Sequence, residues 1–254
     1  MVAKKQTSGS LNRNGKAEEN FCPQMPFVRI VVDNRLYLRD PQETELGRRL
    51  LSDAVEMLNE LGLEAFTFSK LARACKSTEA SVYRYFHNKH ELLGYLVAWY
   101  WAWLDYKVSF KTNNITQHTK RLELMLEVLA GNTDAGAMTP WMNEKLLQRL
   151  VVEEWGKLQL AGEHTAARAY THQEVFTKRI ADFIHAANPH YPYPRALAGL
   201  LIQQAHQQRW YAEHFPQFTE VRLNDTGNKS LTGLLDHILQ SCIAYKATKA
   251  QHVK

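Results

Sequence analysis

The chain has 254 residues, of which 45% are hydrophobic and 22% charged, a globular balance with enough length for a sizeable core. No run approaches the ~18 unbroken apolar residues of a membrane span, and residues 1–20 are polar throughout, unlike a secretory signal, so a cytoplasmic protein with no membrane partner is expected. The formal net charge of +5 mildly favours an anionic partner, while Cys22, Cys75 and Cys242 have neither zinc-site nor disulfide spacing.

Residues 1 to about 24 carry Lys4, Lys5, Gly9, Gly15 and many Ser, Asn and Gln, and read as a flexible tail. Residues 28–39 hold two short β-prone runs around Asp33-Asn34, a pair suited to a tight turn. A hairpin is one reading and an irregular arm the other. After Pro41, Leu46, Leu50, Ala54, Met57, Leu58 and Leu61 follow helical spacing up to Gly62, so a first helix is expected over 42–61. Two short helices follow at 68–75 and 79–86, with Thr67 and Thr78 at their N-caps. Asn88 and Glu91 resemble a capping box that opens a long apolar helix over 89–110. Further helices are expected near 117–130, 141–160, 163–187, 195–214 and 229–247, separated by Gly and Pro breakers. The fold class is therefore all-α.

Three helices in about 45 residues, the last two short and tightly joined, suggest a helix-turn-helix. In that motif the second helix of the pair enters the major groove. Along 78–87, Val82 and Phe86 are spaced to face inward. Thr78, Glu79, Ser81, Tyr83, Arg84 and His87 are left to project, and Ala80 permits close approach. Over 66–93, Lys70, Arg73, Lys76, Arg84 and Lys89 oppose only Glu79 and Glu91, a local balance of +3. Such a charge concentration suits phosphate contact.

Residues 66–93 also resemble the DNA-binding module of TetR-type transcriptional regulators. The resemblance rests on Leu71-Ala72, Ser81-Val82-Tyr83, Tyr85-Phe86 and Asn88-Lys89 followed by Leu92, and extends over about 43–103. It implies an arm at 1–41, a DNA-binding domain at 42–88 with its motif near 67–86, and a helical effector and dimerisation domain at 89–254. It further implies a homodimer on a palindromic double-stranded DNA operator, released by a small-molecule effector. By position, Thr67 and Lys70 open the helix before the reader. Thr78, Glu79, Ala80, Ser81, Tyr83 and Arg84 fall on its groove side, and Tyr83 and Lys89 match phosphate contacts. Lys76 and Ser77 stand where the family pattern has Gly and an apolar residue, which predicts a turn of altered shape. Glu79 stands where a basic residue is common. Arg29, Arg35 and Arg39 of the longer arm have two readings, reaching DNA or packing on the body.

In the body, Trp99, Trp103 and Tyr106 lie on a helix that is apolar nearly all round. They are read as walls of a pocket for a small apolar or aromatic effector, with core packing as the other reading. Leu197, Leu201, Leu231, Leu235, Ile238 and Cys242 form late apolar stripes read as a dimer interface, against packing within one chain. The scattered histidines offer no metal-ligand spacing, and no cofactor is expected. No nucleophile elbow, HExxH, P-loop or dinucleotide fingerprint is present, so an enzyme is not expected. The alternative reading is a DNA-binding protein whose body recruits a protein partner and binds no ligand.

Overall fold

The computed structural model describes residues 28–131, 139–154, 163–224 and 228–244. Residues 1–27, with the tail and Cys22, lie outside the described residues, as do the expected helical extensions at 155–160 and 245–247. The described residues form α1 (Glu45–Ala65), α2 (Phe68–Ala74), α3 (Glu79–Tyr83), α4 (Lys89–Thr112), α5 (His118–Leu129), α6 (Glu144–Glu154), α7 (Glu163–Ala187), α8 (Pro194–His214) and α9 (Lys229–Ile243). No strand occurs among them, and no helix is long and apolar enough to cross a membrane.

α4 is the axis of the molecule. Every residue from Leu92 to Trp101 is buried, as an all-round apolar helix requires. α7 packs along it most extensively, and α5 and α6 flank it. Its start is fixed by Asn88, whose side chain accepts from the N–H groups of His90 and Glu91. Glu91 reaches back to the His87 N–H at 3.0 Å, one residue beyond the expected box partner. α1 begins at the Thr44 cap and ends over a kink at Gly62, whose φ is 70°. That positive φ is the expected glycine stop.

The hairpin reading of 28–39 is corrected. Ile30 and Val32 are buried and Val31 is 78% exposed, so the alternation is real. No neighbouring strand supplies the backbone partners. The Gln42 side chain does so for Ile30, accepting from its N–H and donating to its carbonyl. Asp33 accepts from the Arg35 N–H and opens a 3-10 turn over Asn34–Leu36. Leu36 is buried, so this part of the arm packs on the body.

The dimer stripes are corrected in part. Leu197, Leu201, Leu231 and Leu235 are buried inside the protomer, where α8 packs on α9 and α9 on α5. Stripes of this kind show that a face is covered, and here the same chain covers it. Ile238 and Cys242 remain half-buried.

Trp99 and Trp103 of α4 are core, and Tyr106 packs half-buried against it. Trp99 packs against Trp103 and Trp141, with centroids 5.8 and 5.7 Å away. Its indole N–H donates to Gln42. Trp103 stacks on Tyr106 at 5.5 Å and carries the Lys107 ammonium 5.2 Å from its ring centroid. Contacts of this density leave little wall free for a ligand. A groove of about 350 Å³ beside α7 and one of about 760 Å³ between α6, α7 and α8 are lined by other residues.

Candidate nucleic-acid interface

α2 and α3 are short, so their ends decide their placement. Thr67 caps α2 by accepting from the Lys70 N–H. Thr78 caps α3 by accepting from the Ser81 N–H, and the two hydroxyls lie 2.9 Å apart. Between them Ser77 N–H donates to Ala72 O at 2.8 Å and Lys76 N–H to Arg73 O at 3.0 Å. Lys76 has φ 49°, and among the described residues it is the one non-glycine with positive φ. The expectation of an altered turn is therefore met differently. The tight left-handed turn is kept, and Lys76 bears a conformational cost of about 1 kcal/mol.

Val82 and Phe86 are buried, as their spacing predicts, and anchor α3 against the head. Glu79, Ala80 and Arg84 are exposed and Ser81 is half-buried. Tyr83 is 48% exposed, and its ring meets Phe68 edge-on at 5.1 Å. That contact ties the ring to Phe68, the first residue of α2. Arg73, Lys76 and Arg84 are exposed and meet no carboxylate among the described residues.

Two lysines expected to face outward have work inside the head. Lys70 Nζ donates to Ala65 O at 2.8 Å. Lys89 Nζ donates to Leu63 O at 2.8 Å and Glu64 O at 3.2 Å. Both ammonium groups thus serve the carbonyl end of α1, where cations are favoured. The Cys75 thiol, buried beneath α2, donates to Asp53. Burial first, and that bond second, push it up to about 12, so it stays an unreactive thiol.

The arm arginines separate. Arg29 pairs with Asp40 and Glu43. Arg35 pairs with Asp33, and this bond is the main cause holding the Asp33 carboxyl below its ordinary value. Arg39 is exposed, meets no carboxylate among the described residues, and lies 6.0 Å from the Tyr85 ring centroid at the end of the reading segment. Sequence reasoning had no signal to rank these three. It also missed Gln42, read only as the start of a helix. Gln42 is buried and bonds Ile30, Tyr95 and Trp99.

Among the described residues no cluster of metal-ligating side chains occurs. The arrangement presents a short, firmly anchored helix with polar side chains outward and unpaired cations around it. Its side chains have the donors and acceptors that phosphate contact and base-edge hydrogen bonding require.

Residues 50–96 match the family model described as bacterial regulatory proteins, tetR family. No curated protein matches the chain in sequence. Among solved structures, a bacterial regulatory protein in the tetR family from Rhodococcus RHA1 is 14% identical. It aligns over 78% of this chain and 97% of its own, with a TM-score of 0.60. AibR in complex with isovaleryl coenzyme A and operator DNA is 17% identical over 78% and 98%, TM-score 0.56. The ketosteroid transcriptional regulator KstR2 of Mycobacterium tuberculosis is 16% identical over 84% and 98%, TM-score 0.55. At these identities the likeness is one of fold.

Proposed function

We propose that this chain, whose residues 50–96 match the tetR family of bacterial regulatory proteins, is a homodimeric repressor released from a palindromic operator by a small-molecule effector. Each subunit sets α3 in a major groove, with Glu79, Ala80, Ser81, Tyr83 and Arg84 toward the bases and Thr67, Thr78, Lys70 and Lys89 at the rim. The observation that carries this reading is the anchoring of α3 by Val82 and Phe86 with Tyr83 and Arg84 left outward. Arg39 adds a phosphate contact from the arm.

The dimer is proposed across the outer face of α9. A Cβ added at Gly233 would meet nothing within 4 Å, and Leu234, Ile238 and Cys242 are half-buried on the same helix. A small residue on an open, partly apolar face suits close helix approach about a two-fold axis.

The effector site is proposed in the 760 Å³ groove, a volume in the range of small-molecule pockets. Val152, Leu200, Ile202 and Trp210 line it with Gln173 and His206, and no carboxylate, lysine or arginine is among its lining residues. The lining therefore suits an uncharged apolar or aromatic molecule with one or two hydrogen-bonding groups. Binding changes operator affinity only through a difference in affinity for the two states. AibR, of similar fold, has been captured with both an acyl-coenzyme A and operator DNA.

Fluorescence anisotropy against a selected duplex tests the assignment. Tyr83→Ala and Arg84→Ala should each weaken binding about tenfold, the scale of one lost contact. Arg39→Gln should reduce the slope of log affinity against log salt by about one, while Arg35→Gln leaves it unchanged. Unchanged binding by both Tyr83→Ala and Arg84→Ala would overturn the site.

A further inference from the structure

The arm joins two parts of the molecule that the sequence keeps far apart. At its C-terminal end the Leu38 N–H donates to Tyr85 O at 2.8 Å, and Thr44 Oγ1 lies 2.7 Å from the Tyr85 hydroxyl. The end of the reading segment is thus held by its backbone and by its buried ring. At its N-terminal end the arm meets α7. The Asp33 N–H donates to His172 Nε2 at 3.2 Å, and Arg168 Nη1 donates to Arg35 O at 3.0 Å. Between the two ends Gln42 ties Ile30 to the arm's base, and the base to Tyr95 and Trp99 of α4. Gln173, the residue after His172, lines the 760 Å³ groove.

We propose that residues 28–44 form a strap through which α7 positions the reading helix, with His172 and Gln42 as its positioning residues. The proposal rests on the DNA-reading assignment above and deepens it by naming a route from the groove to α3. A shift of α7 moves Asp33 through His172 and Arg35 through Arg168. The capped 3-10 turn over Asn34–Leu36 carries that displacement to Leu38 and hence to Tyr85, two residues past the end of α3. His172 accepts at Nε2, which requires a neutral ring. Burial lowers its pKa and favours that form, against the opposing fields of Asp33 and Asp105. A cover over the core would need only the buried Ile30, Val32 and Leu36. It would not need hydrogen bonds at both ends to two separate functional elements.

Amide hydrogen exchange on the full chain tests the strap without any ligand. His172→Ala should speed exchange about three- to tenfold in 28–40 and also in 82–87, as expected for loss of one hydrogen bond with local opening. His172→Gln, whose side-chain oxygen can accept from Asp33, should restore both. Faster exchange confined to 28–40, or no rescue by glutamine, would overturn the proposal. In parallel, a duplex selected from random sequence by the wild type should bind His172→Ala several-fold more weakly, with an unselected duplex of equal length unaffected. Equal affinity of variant and wild type for the selected duplex would also overturn it. If the wild type selects no duplex, the DNA-reading assignment fails, and exchange in 82–87 still decides the link.

Discussion

Gly47→Ala should lower the free energy of unfolding by about 2–4 kcal/mol, the range of an unrelieved clash in a packed site. Helix propensity alone gives the opposite sign, because alanine in a helix interior gains about 1 kcal/mol over glycine. The geometry decides. A Cβ at position 47 would sit 2.2 Å from Pro41 O and within 2.8 Å of Pro41 Cα and C. These are backbone atoms, and they cannot swing aside. Pro41 opens a 3-10 turn whose Gln42 N–H is held by Asp40 and whose Gln42 side chain bonds Ile30, Tyr95 and Trp99. Making room for one methyl group therefore displaces the base of the arm and leaves buried polar groups unpaired, each costing on the order of 1–3 kcal/mol. Gly199→Ala is the matched control, since a Cβ there meets nothing within 4 Å. It should be neutral or slightly stabilising. Denaturant titration of the two variants checks this, and a Gly47→Ala protein as stable as the wild type would contradict the packing described.

The second large effect is a loss of stability in acid centred on His206. Burial takes its imidazole down to about 3, with Arg209 adding to the shift, and the ring lies against Trp101 and Tyr100. The unfolded chain takes up a proton near the ordinary value of about 6.5, while the folded chain does not until about 3. Stability from this group is thus complete above about pH 6.5 and declines as pH falls from there toward 3, with a slope of up to about 1.4 kcal/mol per unit. His172, also lowered by burial, acts in the same direction. His206→Gln should flatten the profile of unfolding free energy between pH 7 and 4. Parallel profiles for the variant and the wild type would refute the assignment.

The head was legible because its determinants are local. Thr67, Thr78 and Asn88 cap the helices that they precede, and a cap depends on the next three residues alone. The inward pair Val82 and Phe86, the glycine stop at Gly62 and the buried α4 follow from periodicity in the same way. The arm was not legible, because its alternation is satisfied by a glutamine side chain and by α7, 139 residues away in sequence. Nothing near Asp33 announces either partner. The stripes of α8 and α9 were legible only in part, for a related reason. Leu197, Leu231 and Leu235 record that they are buried and carry no mark of which chain buries them. From the sequence, Lys70 and Lys89 read as DNA contacts. Their bonds to the end of α1 depend on the Gly62 kink bringing those carbonyls within reach, a tertiary detail that charge counting does not register.

The central claim is that this chain reads a DNA sequence as a symmetric pair through α3. Binding to a pool of random duplexes at controlled salt, followed by selection and sequencing, tests it most directly. The predicted result is enrichment of one palindrome whose half-sites are separated by about one helical turn or somewhat more, lost in Arg84→Ala. Binding that falls steeply with salt and enriches no sequence would contradict it, because phosphate contact alone gives that behaviour.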